Sequence, residues 1–174
     1  MSSPTDRWPG CGLIAPAGPT PAPPEFHASS GCWRRYGELL ARSYGAPERW
    51  AVHQLVVDSY VAQHATAATR PSVQQLGLCL MTLDLFLEEG WDVSAGPRLH
   101  QRMMANLPEL HALEPPDTQT HLTVEHVLRA GDAAAYQHLV RSWAEQVWHA
   151  WRVHHRTIRS WNEAALGGGP ATYR

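Results

Sequence analysis

Proline placement constrains this chain more than any other feature of it. Seven prolines fall early, at Pro4, Pro9, Pro16, Pro19, Pro21, Pro23 and Pro24, among small residues such as Gly10, Gly12, Ala15 and Ala17. A proline ring lacks the amide donor and clashes with a preceding helical turn, so residues 1–30 read as an extended arm. Further on, prolines are sparser, and the stretches between them carry apolar residues at helical spacing. Pro47 suits the first position of a helix, where its missing N–H costs nothing. Pro71, Pro108, Pro115 and Pro116 mark further boundaries.

Between those marks the periodicity is that of helices. The first starts near Ser30 or Gly31, runs through Trp33, Tyr36, Leu39 and Leu40, and closes at Gly45. The second is read from Pro47 to His64 as one piece. A third follows Pro71, with Ser72 and Gln75 at capping-box spacing, and Val73, Leu76, Leu80, Leu83 and Leu87 form its apolar face. A weaker helix covers about 96–106, and a short one capped by Thr123 ends by Gly131. The last and longest is read as continuous from Asp132 through Trp161. No strand-length alternation competes, so the expectation is an all-α, single-domain bundle of five to six helices. Its organisation is read as a 1–30 arm, a 31–163 helical domain and a loose 164–174 tail around Gly167-Gly168-Gly169-Pro170.

Composition narrows function by exclusion. All 14 basic residues are Arg, so the chain has neither a Schiff-base lysine nor a P-loop lysine. The net charge of −2 gives no broad footprint for nucleic acid or an anionic membrane surface, although Arg141, Arg152, Arg156 and Arg159 make a local basic strip. No apolar stretch reaches the ~18–20 residues of a membrane span. Met1-Ser2-Ser3-Pro4-Thr5-Asp6 has neither a basic nor an apolar targeting region, so the cytoplasm is expected. With no export signal, the 3 Cys point to metal, catalysis or burial rather than to disulfides.

The polar residues of the second helix suggest where a site lies. Val52, Leu55, Val56, Val57 and Val61 cover most of its circumference, which marks a buried helix. Asp58 falls on the Ala51–Leu55–Ala62 stripe and is therefore expected inside. A carboxylate there needs a cation, hydrogen-bond donors or a metal. His53, Tyr60 and His64 share a second stripe, with His53 and His64 about 16 Å apart, too far for one ion. In the last helix His154 lies on the Val147–Trp151–Ile158–Trp161 face, and His155 points beside it. The pairing expected is Asp58 with His154 or His155. Cys79 reads as a core residue, and His100, His111, His121, His126 and His138 as surface.

Several segments resemble an uncharacterised bacterial all-helical family, a domain of unknown function. They are Cys11-Gly12, Cys32-Trp33-Arg34-Arg35-Tyr36, Val57-Asp58-Ser59-Tyr60-Val61-Ala62-Gln63-His64, and Trp143 to Trp151 leading into His154-His155. The resemblance covers most of residues 10–161 and implies a helical fold without implying a reaction. Relatives often open with Cys-Pro-x-Cys-Gly, whereas Trp8 stands here at the first Cys. They usually continue Gln-His with Pro-Gly, whereas Ala65-Thr66 follow here. The resemblance thus implies a zinc site in which Cys11, Cys32 and His27 leave only three protein ligands.

Two functions remain open. One is a metal-dependent or acid/base protein acting on a small molecule, with Zn, the first choice, or Fe or Mn. Its metal ligands would come from His53, Asp58, His64, His154 and His155, and its catalytic groups would be Asp58, Tyr60, His64 and His154. The other is a non-enzymatic module whose buried Asp/His network fixes helix packing while exposed Trp and Arg residues bind a protein partner.

Overall fold

The computed structural model describes residues 11–117 and 120–167. Trp8 and the Gly168-Gly169-Pro170 stretch of the tail lie outside the described residues. Eight helices follow in order: α1 (Ser30–Tyr44), α2 (Pro47–Trp50), α3 (His53–His64), α4 (Arg70–Leu87), α5 (Gly96–Ala105), α6 (Val124–Leu128), α7 (Ala133–Ala150) and α8 (His155–Leu166). The described residues contain no β-strand, and the helices form one all-helical bundle.

The helix ends follow local chemistry, some of it shifted from the sequence expectation. The hydroxyl of Ser29 accepts from the Cys32 N–H and so starts α1. Pro71 lies in the first turn of α4, but the reciprocal cap joins Thr69 and Ser72 rather than Ser72 and Gln75. Asp132 caps α7 through the Ala135 N–H. Gly167, at φ 53, ends α8 in the left-handed region that glycine enters without strain, three residues past the expected boundary at 163.

Two helices expected to be continuous are broken. The Pro47–His64 stretch turns at Ala51 and Val52 between α2 and α3, where the imidazole of His53 stacks on Trp50 at 4.3 Å. The long C-terminal helix gives way to a 3-10 turn over Arg152–His154. There the His155 ring stacks on the Trp148 indole at 3.6 Å, and its Nε2 lies 3.0 Å from the Trp148 carbonyl oxygen. That carbonyl would otherwise serve the continuing helix. Neither break carries a proline or a glycine.

Helix α3 is the axis of the bundle. Nine of its twelve residues are buried, and it packs most heavily on α4 and α7, with α1 against it as well. Three indoles secure this packing through the N–H that a buried Trp must satisfy. Trp143 of α7 donates to Gln63 Oε1 at 3.2 Å and Trp151, just past the end of α7, to the Ala62 carbonyl at 3.0 Å, both bonds reaching α3; Trp148 donates to Glu88 at 2.8 Å.

The proline-rich arm lies against this bundle. Phe26 and Ala65 form an antiparallel bridge, with His27 N–H donating to the His64 carbonyl at 2.7 Å and Thr66 N–H to the Glu25 carbonyl at 2.9 Å. Further up the arm, Cys11 and Ala15 are buried. Close approach of the arm to α1 requires Gly31, where a Cβ would sit 2.4 Å from the Pro16 carbonyl oxygen and 3.0 Å from that of Ala15. Alanine would ordinarily strengthen a helix by ~1 kcal/mol over glycine. A backbone clash outweighs that gain, so Gly31→Ala is expected to lower stability by about 1–3 kcal/mol. A melting temperature at or above wild type would contradict the observed docking of the arm.

Candidate metal centre

The C-terminal turn of α3 meets the arm and the start of α1 at three side chains: Cys11, Cys32 and His64. They are 6%, 0% and 2% exposed, and their ligating atoms all lie within 4.8 Å of one another. Cys11 Sγ is 3.7 Å from Cys32 Sγ, and Cys32 Sγ is 3.5 Å from His64 Nε2. Two sulfurs bound to one tetrahedral zinc at ~2.3 Å stand about 3.8 Å apart, and a sulfur and a nitrogen bound at ~2.3 and ~2.05 Å stand about 3.5 Å apart. The donor set fits the ion.

The imidazole is oriented for this role. His64 Nδ1 lies 2.8 Å from the Tyr60 carbonyl oxygen, one turn back. A carbonyl can only accept, so Nδ1 carries the proton and donates, and the Nε2 lone pair faces the sulfurs. This is the outer-shell arrangement that orients metal-ligating histidines. Tyr60 also places its hydroxyl 3.6 Å from Cys32 Sγ, stacks on the His64 ring at 4.1 Å and stacks on Tyr36 at 3.7 Å. Phe26 and Trp33 complete an aromatic wall around it. The Cys32 thiol hydrogen-bonds to Cys11 sulfur, which holds the Cys11 thiol below its ordinary range against the opposing effect of burial, with His64 adding to the lowering. Cys32 is pushed up, first by that hydrogen bond and then by burial. Burial, with Cys32 alongside, raises the Tyr60 phenol.

Asp58 belongs to a different group. It is fully buried but meets neither His154 nor His155. Its Oδ1 accepts from Gln54 Nε2 at 2.8 Å and its Oδ2 from Thr82 Oγ1 at 2.7 Å; His100 Nε2 stands 3.8 Å from Oδ1. The expected inter-helix pairing is therefore corrected, because Asp58 faces α4 and α5 whereas the break at residues 152–154 turns both histidines elsewhere. His154 Nε2 donates to the Glu114 carbonyl at 2.9 Å, and His155 is held on Trp148. His53 bonds Ser43 Oγ at 2.8 Å and stacks on Trp50, remote from any metal group. His27, expected as third ligand to Cys11 and Cys32, is exposed. The group takes His64 from one expected site and Cys11 and Cys32 from the other. No fixed spacing announces it, since these residues lie 21 and 32 positions apart. His100, expected at the surface, is half-buried beside Asp58.

The matched sequence settles the family. This chain belongs to DUF5946, a family of unknown function, whose sequence model matches residues 6–152. Neither a curated protein nor a solved structure matches the chain. The DUF5946 match includes Cys11, Cys32, Asp58 and His64 and stops short of His154 and His155. A cavity of about 370 Å³ adjoins His64, with His27, Gln63, Asp117, Thr120 and Trp151 among its walls. No described helix is long and apolar enough to cross a membrane.

The Asp58 group has its own consequence for stability. Burial lifts this carboxyl from 3.8 to about 7, against the lowering effect of its Thr82 and Gln54 hydrogen bonds, while burial lowers His100. Thr82 can donate to the Leu78 carbonyl instead, at 3.0 Å, leaving its oxygen to accept from a protonated Asp58. The folded chain thus holds a proton that the unfolded chain releases, a contribution present in full below the unfolded value and lost as pH rises through about 7. Asp58→Asn, which does not titrate, should gain about 2–3 kcal/mol on wild type between pH 5 and pH 8 in urea unfolding. Parallel stability curves would contradict a raised Asp58.

Proposed function

We propose that this protein is a zinc-binding helical bundle, with the metal held by Cys11, Cys32 and His64 and a small molecule admitted to the cavity beside His64. The observation that carries the reading is the agreement of the 3.7 and 3.5 Å separations with the edges of a zinc tetrahedron. Two sulfur donors favour zinc over manganese, whose sites are built from oxygen. Three protein ligands among the described residues leave one position, as in zinc sites that bind a substrate or water, and such an ion polarises a bound carbonyl or lowers the pKa of bound water. On this reading Asp58 takes no part at the metal, and Tyr60 acts by holding Cys32 and His64.

The near-complete burial of the three ligands favours a second reading, in which zinc only ties the arm to α1 and α3. Cobalt separates the two. In the cobalt-loaded protein, added imidazole shifts the visible d–d bands if a coordination position is open and leaves them unchanged if the site is closed.

Elemental analysis of the purified protein tests the metal itself. About one zinc per chain is expected, lost in Cys32→Ser and His64→Ala and retained in Asp58→Asn, His154→Ala and His155→Ala. Zinc that persists in the first two variants, or that leaves with His154, would overturn the assignment.

A further inference from the structure

The two sulfurs lie close enough for a reaction with each other that metal binding alone does not use. Cys11 Sγ and Cys32 Sγ are 3.7 Å apart, both are buried, and neither is in a disulfide. A disulfide needs ~2.05 Å, so the pair must close by about 1.7 Å. Cys32 is fixed in the first turn of α1, behind the Ser29 cap. Cys11 is not in a helix; it stands in the arm beside Gly12, whose φ of 65 is a conformation that glycine adopts without strain and whose lack of a Cβ leaves the backbone there the least hindered in turning. Cys11 is also the less deeply buried of the two, 6% exposed against 0%. The Leu13 N–H, 3.4 Å from Cys11 Sγ, steadies negative charge on that sulfur.

We infer that Cys11 and Cys32 form a peroxide-sensitive dithiol that closes to an intramolecular disulfide, with Cys11 the sulfur oxidised first. The Cys11 thiolate displaces hydroxide from hydrogen peroxide, giving a sulfenic acid. The Cys32 thiolate then attacks that sulfur, the S–S bond forms and a second hydroxide leaves. With the two thiol protons this is two thiols and one peroxide giving one disulfide and two waters. The cysteines are oxidised by two electrons and the peroxide is reduced by two. Cys79 is held 2% exposed in the middle of α4, away from the pair, and takes no part.

One consequence rests on the zinc reading above. A disulfide sulfur is not a thiolate ligand, so oxidation leaves His64 alone at the site and releases the metal. Metal and disulfide then exclude each other, and the arm is fastened to α1 in either state, by coordination or by a covalent bond.

The test uses the full chain as purified and hydrogen peroxide as the probe. Thiols are counted in denaturant, released zinc is read with a chromogenic chelator, and the cross-linked peptide is sought by mass spectrometry. The expected result is a fall from three titratable thiols to one, a Cys11–Cys32 peptide two hydrogens lighter, and recovery of all three thiols with dithiothreitol. Cys79→Ser should behave alike, falling from two thiols to none, and Cys11→Ser should form no intramolecular bridge. Three thiols surviving peroxide, a bridge that includes Cys79, or over-oxidation of Cys11 without a bridge would overturn the inference. A Cys11–Cys32 bridge formed in protein that never contained zinc would sustain the dithiol and sink the zinc reading, so the two fail separately.

Discussion

Everything in this fold is arranged around a helix that has no wet side. α3 is covered by α1, α4 and α7, and nine of its twelve residues are buried, yet it carries Gln54, Asp58, Ser59, Tyr60 and His64 among its apolar residues. Each buried polar group left without a partner would cost about 1–3 kcal/mol. Ser59 Oγ has no partner, but Asp58 is met by Gln54 and Thr82 and His64 by Tyr60 and Cys32, and those partners define the two ionisable groups. Six residues separate Asp58 from His64, a rotation of about 240° at ~3.6 residues per turn. One therefore faces α4 and α5, while the other faces the arm and α1.

The two groups solve burial differently. Asp58 is hydrogen-bonded to Thr82 and Gln54 and held by burial well above the usual carboxylate range, with His100 close by and itself lowered by burial. Cys11, Cys32 and His64 present the opposite case, two sulfurs and an imidazole lone pair converging on one point. Such a convergence suits a cation, and holding one would offset the desolvation of the thiolates. It would also join segments far apart in sequence, where closing the intervening loop of the unfolded chain is entropically costly. The backbone pairing of residues 25–27 with 64–66 and the close fit at Gly31 bring the arm to that point.

Much of the helical order was legible in the sequence, because prolines and apolar periodicity are local signals. Both breaks were not. At Ala51–Val52 and at Arg152–His154 the chain turns where aromatic rings stack, Trp50 on His53 and Trp148 on His155, and no proline or glycine announces such a turn. Burial of Asp58 followed from the apolar wheel of α3, since periodicity reports which face is covered. It does not report what covers it, so His100, on a weakly apolar helix, read as surface, and His154 read as the partner. The cysteine group was visible only in pieces, because a helix end, a helix start and an arm meet in space at no fixed spacing.

The central claim is that three buried side chains from three separate segments share one ion. X-ray absorption at the zinc edge of the purified protein tests it most directly. The account predicts two sulfur scatterers at ~2.3 Å, one imidazole nitrogen at ~2.0–2.1 Å and one further light atom. A shell of nitrogen and oxygen alone, a four-sulfur shell, or no zinc edge at all would contradict it.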